Sequence, residues 1–449
     1  VDYYSLTDPS LTARFGDALL SSLAPDGGLY MPKSLPSFSD AQLAELGAMS
    51  FAQCAAKLAR HFTDDRFSDD DLLAICEDAY DFPLPMRTFD GRELDAAVPE
   101  DDDEFFLELF HGPTLAFKDF AARFMGRTAS HLLTKSGEER TILVATSGDT
   151  GGAIGYAFLD QPGVKVYIFY PEGGVSKVQE QQLTTMGARS NVKAVRIAGS
   201  FDEAQALVKD AFADKALSKK HNLMSANSIN VGRVIPQSFY YFWTSLQAKA
   251  AYPDRPLVYS IPSGNLGNLT GGLVAKRMGA PIDRFVVGHN VNDPLVDYLT
   301  TGEYEPRPSV PTLSNAMDIG RPNNFPRILS LYDNDHKTIA AEIYGASFDD
   351  QITARHLRRV YNETGYLMCP HTTVGHLAME KFSAGVDQDF TKITVATAHP
   401  AKFQTEVEQV IRDDIPLPDA LAVLYDKEPS VHVMSGDLDE LAAYLDKHA

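Results

Sequence analysis

"TILVATSGDTGGAIG", Thr141–Gly155, decides the fold. Its first half is a short run of apolar and β-branched residues of strand length. Its second half is rich in glycine and passes into small and apolar residues at helical spacing. A strand that feeds a helix through a glycine turn is the joint of a parallel sheet. At such a joint ligands bind, because backbone N–H groups at the helix start can approach an anion. "LVYSIPSGNLGNLTGG", Leu257–Gly272, repeats the arrangement. Neither turn carries the G-x-G-x-x-G of a dinucleotide site or the G-K-[ST] of a Walker loop, which disfavours both NAD binding and P-loop hydrolysis.

Working outward, further strands are expected at "FFLELF", "VKVYIFYP", "VKAVRIAG", "RFVVGHN" and "KITVATAHP". Between them, segments such as "FDEAQALVKDAFADKALSKK" and "VIPQSFYYFWTSLQAKA" have helical spacing. This alternation predicts an α/β protein with parallel sheets and helices on both faces. Residues 1–93 look mainly helical, with a break near Gly47 and a Pro-Asp-Gly-Gly turn after the first helix. The expected division is 1–93, 94–255 and 256–449, with a hinge at Ala248–Pro256. The acidic run Glu100–Glu104 reads as a solvated loop. The stretch from about 303 to 327 is rich in Pro and Asn and reads as a long ordered loop of functional use.

Composition narrows the class. Lys plus Arg number 40 against 61 Asp plus Glu, a formal charge of −21. That argues against nucleic acid held on a general basic surface, but not against a small anion gripped by a few donors. Three cysteines, Cys54, Cys76 and Cys369, without a C-x-x-C, predict neither a disulfide framework nor a zinc site and fit a reducing compartment. No apolar run is long enough to span a membrane, and no secretory leader is evident. A cytoplasmic enzyme is the expectation.

Lys118 is out of place. In "FHGPTLAFKDFAARFM", Phe117, Phe120, Ala121, Phe124 and Met125 mark one buried helical face, and Lys118 stands beside it in the first turn. There the helix dipole disfavours a cation. Two readings are open: a lysine whose stem covers apolar surface, or an amine kept uncharged by burial so that it serves as nucleophile or base.

Six motifs in order settle the choice: "HGPTLAFKDF", "ATSGDTGGAI", "SANSINVGR", "PSGNLGN", "NAMDIGRPNNF" and "TAHPAKF", preceded by "ALLSSLAPDGGLYMP". Together they resemble the threonine synthase family of the longer bacterial and fungal type, pyridoxal-phosphate enzymes of fold type II. The resemblance runs from about residue 4 to about 410. It implies two parallel-sheet lobes, the smaller, substrate-side one spanning about 128–240.

By this resemblance Lys118 bonds pyridoxal phosphate as a Schiff base. Gly264, Asn265, Leu266, Gly267 and Asn268 cup the cofactor phosphate, and Thr397 faces the pyridine nitrogen. Ser147, Gly148, Asp149 and Thr150, with Gly151, form the loop for the substrate carboxylate. Asp149, where related enzymes often carry Asn, is expected to accept loop N–H bonds or to face the cofactor ring, since an ionised carboxylate repels another. Asn227, Ser228 and Arg233 grip the substrate phosphate, although "NSINVGR" would equally cap a helix. Asp318, Asn323, Asn324 and Arg327 are weaker candidates. His111, His371, His376 and His399 lack metal-ligand spacing and read as satisfied loop residues, His399 fixing the turn behind Thr397. No metal is expected.

The implied reaction converts O-phospho-L-homoserine and water into L-threonine and phosphate, by γ-elimination and then β-addition of water. A phospho-lyase that releases 2-oxobutanoate and ammonia is the nearest rival. A serine or threonine dehydratase, a carrier of the cofactor without turnover, and a phosphosugar- or nucleotide-binding module stand further off. The expected partners are the small substrate alone, in a monomer or homodimer, with no nucleic acid and no membrane.

Overall fold

The computed structural model describes residues 2–94, 103–187 and 190–448. Two sheets organise them. The larger has six strands in the order Ile343–Ser347, Arg284–His289, Leu257–Pro262, Thr391–Ala396, Glu104–Glu108 and Met86–Arg87. The first five run parallel, and only the edge strand Met86–Arg87 is antiparallel. Leu257–Pro262 is buried at every position, which is why it reads as a continuous run and not as an alternation. The smaller sheet has five parallel strands in the order Val431–Met434, Val192–Ile197, Val164–Pro171, Arg140–Ala145 and Leu223–Ser225. The fold is thus α/β with two parallel-sheet lobes, as expected.

Each sheet has a switch point at which strands are added on both sides of an earlier one. In the larger, Leu257–Pro262 lies between Arg284–His289 and Thr391–Ala396; in the smaller, Arg140–Ala145 lies between Val164–Pro171 and Leu223–Ser225. At such a switch the following loops part and leave a crevice at the carboxyl ends of the strands. The loops leaving Leu257–Pro262, Thr391–Ala396, Arg140–Ala145 and Leu223–Ser225 carry Ser263–Asn268, Thr397, Ser147–Gly151 and Ala226–Ser228.

The helix Lys118–Ser136 begins at the lysine and ends at Gly137, whose φ of 72° is a left-handed cap. Phe120, Ala121, Phe124 and Met125 are buried as the spacing predicts, and Phe120 packs against the rings of Phe51, Phe82 and Tyr240. Phe117, placed on the same face by spacing, is only half-buried, because it stands outside the helix at its N-cap. A Cβ on Gly126 would lie 2.5 Å from Ala157 O, so glycine there lets the neighbouring helix Asp149–Phe158 pack closely.

The N-terminal region has the expected helices, Phe15–Ser21, Asp40–Gly47, Phe51–Arg60 and Asp69–Ala79, the last three started by Ser39, Ser50 and Ser68 capping boxes. It also holds a small antiparallel sheet of Asp2–Ser5, Thr12–Arg14 and Tyr30–Pro32, strands too short for a pattern to announce. Of the acidic run, residues 100–102 lie outside the described residues. Asp103 accepts from Lys392 Nζ at 3.0 Å, and Glu104 opens a central strand, so these two correct the reading of a solvated loop. The C-terminal residues return to the smaller sheet: Val431–Met434 pairs with Val192–Ile197, and Leu441 and Leu445 of the helix Leu438–Lys447 join its core. Among the described residues no helix is long and apolar enough to cross a membrane.

Candidate active site

The two crevices face each other and form one cleft. Lys118, Ser147, Asp149, Thr150, Asn227, Ser228, Arg233, Gly264–Asn268 and Thr397 all line it. Gly148 does not. It serves from behind: its φ is 132°, and a Cβ would fall 2.3 Å from the Gln179 side chain.

After Leu257–Pro262 the chain turns through Leu266, whose φ of 60° is left-handed, into the helix Gly267–Arg277. The turn is tied from outside. Asn268 Nδ2 donates to Pro262 O at 2.9 Å, and its Oδ1 accepts from Ser263 Oγ at 2.6 Å. Asn265 O accepts from Asn324 Nδ2 at 3.0 Å, and Asn265 Oδ1 from Asn323 N–H, also at 3.0 Å. These side chains therefore shape the loop: Asn268 Oδ1 also takes Leu269 N–H at 3.0 Å, while Gly267 and Asn268, whose N–H groups precede the first backbone bond of the helix, line a cleft suited to a phosphate.

Lys118 stands at the start of its helix with its amine 4.6 Å from the Phe117 ring centroid. Burial lowers its pKa to about 8; Asp149 opposes the fall, and Arg233 and Lys402 add to it. Thr397 is held beside it: Thr397 O accepts from Phe117 N–H at 2.8 Å, and Thr397 N–H donates to Thr372 Oγ1 at 3.3 Å. His399 Nδ1 accepts from Ala401 N–H at 3.1 Å and fixes the next turn, as expected.

Arg233 is buried in the short helix Val231–Val234, whose cap is Asn230: its Oδ1 accepts from Gly232 N–H. One nitrogen, Nη1, donates to Ala226 O, while Nε has no partner among the described residues. Burial lowers the guanidinium's pKa to about 10, against the pull of Asp119. Ser228 Oγ is likewise buried without a partner. Asn227 Nδ2 reaches Ala145 O at 3.3 Å, across the crevice of the smaller sheet. Two orphaned donors at one wall call for an anion, because leaving them unpaired is costly.

Of the two roles expected of Asp149, which lines the cleft, accepting the loop N–H bonds is not the one the structure shows. The loop N–H groups of Gly148 and Gly151 donate instead to Thr146 Oγ1, at 3.0 and 2.9 Å. Asp149 Oδ1 takes Gln179 Nε2 at 3.0 Å and lies 2.9 Å from Lys402 Nζ. Burial acts to raise its pKa, but Lys402, Lys118 and these hydrogen bonds outweigh it and hold the carboxyl below the usual carboxylate range.

Of the weaker candidates, Asn323, Asn324 and Arg327 support the cleft without lining it. Asp318 accepts from Thr312 N–H, Thr312 Oγ1, Asn290 Nδ2 and Asn292 Nδ2 and so closes the long loop, which presents Ala316, Met317 and Ile319 to the cleft. His371, read as a loop residue, sits in the helix Pro370–Ser383 and lines the cleft. Its Nε2 accepts from Ala316 N–H at 3.1 Å, and burial lowers its pKa to about 4. His376 is on the same helix, away from the cleft. It lies close to His356 and Glu380, but the ring nitrogens are taken: Arg359 donates to His356, His356 to His376, and His376 to Glu104. Thr146, Gln179 and Lys402 went unnoticed in the sequence, since a single polar residue in a turn has no periodic signature.

The cleft thus combines an amine of lowered basicity, a helix-start cradle for one phosphate and orphaned donors for a second anion. These groups fit a phosphorylated aldehyde cofactor together with an anionic substrate. A family model described as "Pyridoxal-phosphate dependent enzyme" matches residues 94–397. "Threonine synthase N terminus" matches 2–80, and "Threonine synthase, C-terminal" matches 372–445. The threonine synthase of Escherichia coli is 38% identical, over 99% of each chain. That of Saccharomyces cerevisiae is 34% identical, over 89% of this chain and 87% of the yeast one. The PLP-bound threonine synthase of Brucella melitensis superposes with a TM-score of 0.90 at 34% identity, over 100% of this chain and 99% of that one.

Proposed function

We infer the chemistry of this cleft from one premise: the chain belongs to the threonine synthase family of pyridoxal-phosphate-dependent enzymes. It is a lyase that turns O-phospho-L-homoserine and water into L-threonine and inorganic phosphate, with pyridoxal phosphate as cofactor. When bound, the cofactor supplies an aldehyde that accepts an amine and a conjugated ring that takes up the electrons of bonds broken at the substrate α-carbon.

The remaining roles are our assignment to this chain's residues. Lys118, uncharged near neutral pH more often than an ordinary lysine, attaches the cofactor and, once displaced by the substrate amine, takes the α-proton on Nζ. The N–H groups of Gly264–Asn268 hold the cofactor phosphate without a cation, so the loop adds no charge that would compete for the substrate. Thr397 offers the ring nitrogen a neutral hydroxyl. Ser147 and Thr150 orient the substrate carboxylate. Asn227, Ser228 and Arg233 hold the substrate phosphate and stabilise its charge as it leaves the γ-carbon. Movement of the smaller lobe over the cleft would exclude bulk water until the step that needs it.

One observation carries this reading: Ser228 Oγ and Arg233 Nε are buried, without a partner among the described residues, and in the same cleft as the helix-start cradle. One cradle suits the cofactor phosphate, and the second donor set suits a second phosphate. Three unpaired buried cysteines, Cys54, Cys76 and Cys369, support a cytoplasmic setting. The test is an assay of the purified protein with O-phospho-L-homoserine that reads phosphate and threonine together. Equal amounts are expected; phosphate accompanied by 2-oxobutanoate in place of threonine would overturn the reading.

A further inference from the structure

A second lysine lies close behind Lys118. Lys402, fully buried, comes from the turn Pro400–Phe403 that follows Thr397 on the large-sheet side. Its Nζ donates to Thr114 O at 2.6 Å and lies 2.9 Å from Asp149 Oδ1, across the gap between the lobes. Two small-lobe side chains, Ser176 and Gln182, also cross the seam, and a third, Gln179, steadies Asp149 from its own lobe. Ser176 Oγ donates to Lys402 O at 2.8 Å, Gln179 Nε2 to Asp149 Oδ1 at 3.0 Å, and Gln182 Nε2 to Thr114 O at 3.1 Å. Uncharged hydrogen bonds alone would have joined the lobes. A buried ion pair costs both partners their hydration, and apolar side chains of similar volume often stabilise more.

The reason for the pair lies in what surrounds the amine of Lys118. Asp149 favours the ammonium form; Arg233 and Lys402 oppose it; the Cys369 thiol and the neutral ring of His371 also face it, and Asp119 follows it in the chain. An ionised Asp149 without a counter-charge would hold Lys118 as its own ion-pair partner, and an ammonium cannot attack an aldehyde. Removing the carboxylate would free the amine but would also remove the group that Gln179 and Lys402 use to anchor the substrate-side loop.

We propose that Lys402 is a positioning residue whose charge is matched to Asp149, so that Asp149 ties the substrate-side loop to the large lobe without protonating the neighbouring Lys118 amine. The inference rests on the assignment of Lys118 as the cofactor-bonding residue.

The test is a charge swap read on Lys118 itself. In the full-length chain freed of cofactor by hydroxylamine, trace acetylation of Lys118, followed over about pH 6 to 11 by peptide mass spectrometry, gives the midpoint of the amine. Lys402→Met is expected to raise that midpoint by about one unit, a tenfold loss of free amine below it. Asp149→Asn is expected to lower it, and the double variant to return it to within about half a unit of the wild type. An unmoved midpoint in folded Lys402→Met, or in Asp149→Asn, overturns the proposal, as does a double variant displaced by about a unit or more. If Lys402→Met fails to fold, Asp149→Asn and the double variant decide. Failure of added pyridoxal phosphate to protect Lys118 from acetylation would instead refute the assignment on which the inference stands.

Discussion

Arg327 Nη1 donates to Ser228 O at 2.8 Å, so a guanidinium from the helix Phe325–Leu331 of the large lobe carries the turn that presents Ser228 Oγ to the cleft. The same side chain reaches Ile229 O at 2.7 Å and Tyr30 O at 3.3 Å and is fully buried. Among the described residues no carboxylate pairs with it, and burial lowers its pKa to about 9. Arg327→Leu would leave these carbonyls without their donor. It is expected to cost about 3 kcal/mol or more of stability in urea unfolding and to raise KM for the phosphorylated substrate. A variant of native stability and unchanged KM would contradict this support role.

That relationship marks the limit of what the sequence made legible. "VKVYIFYP" is a strand over the stretch its apolar run indicates, Val164–Pro171, because a strand buried on both faces records itself as continuous hydrophobicity. The glycine turns at Gly148 and Gly264 were readable for a similar reason: local geometry selects the residue type. Leu223–Ser225 and Val431–Met434 were not, since strands of three and four residues are held by neighbours distant in sequence. Lys402 was invisible for the same cause. Its acceptor, Thr114 O, lies 288 positions away, and nothing in "AHPAKF" says what the amine will meet.

The pH dependence of cofactor attachment follows from Lys118. An ordinary lysine has a pKa of 10.5, and burial brings this one to about 8. Only the neutral amine attacks an aldehyde, so the attachment rate should climb about tenfold per pH unit below about pH 8 and level off above it. Stopped-flow absorbance of pyridoxal phosphate mixed with cofactor-free protein measures this. A rate still climbing at about pH 10 would mean that the amine is not shielded as described. Lys118→Ala should fold and lack the visible band altogether.

Ser228→Ala separates function from stability. The hydroxyl is buried with no partner, so its removal relieves an unsatisfied polar atom. Tm should be unchanged or slightly raised. The same change removes a donor from the substrate phosphate, and kcat/KM for O-phospho-L-homoserine should fall by about tenfold, roughly 1.4 kcal/mol. Differential scanning calorimetry and steady-state kinetics on one preparation give both numbers. A drop in Tm with unchanged kinetics would show that the hydroxyl is structural.

Gly148→Ala should injure the substrate-side loop while leaving the cofactor site intact. At φ 132° an L side chain is strained wherever it points, and here it points at Gln179, whose carboxamide atoms would lie 2.3 to 2.5 Å from the new Cβ. Gln179 must then swing away and release Asp149 Oδ1, to which it donates at 3.0 Å. The loop N–H of Gly148, held on Thr146 Oγ1 at 3.0 Å, would shift with it, displacing Ser147 and Thr150. The cradle at Gly264–Asn268 lies after a strand of the other sheet and shares none of these bonds. Cofactor absorbance and affinity should therefore persist, stability should drop by about 1 to 3 kcal/mol, and KM should rise at least tenfold. Loss of cofactor binding in parallel with KM would mean that the cradle depends on the Gly148 loop, with which it shares no hydrogen bond among the described residues.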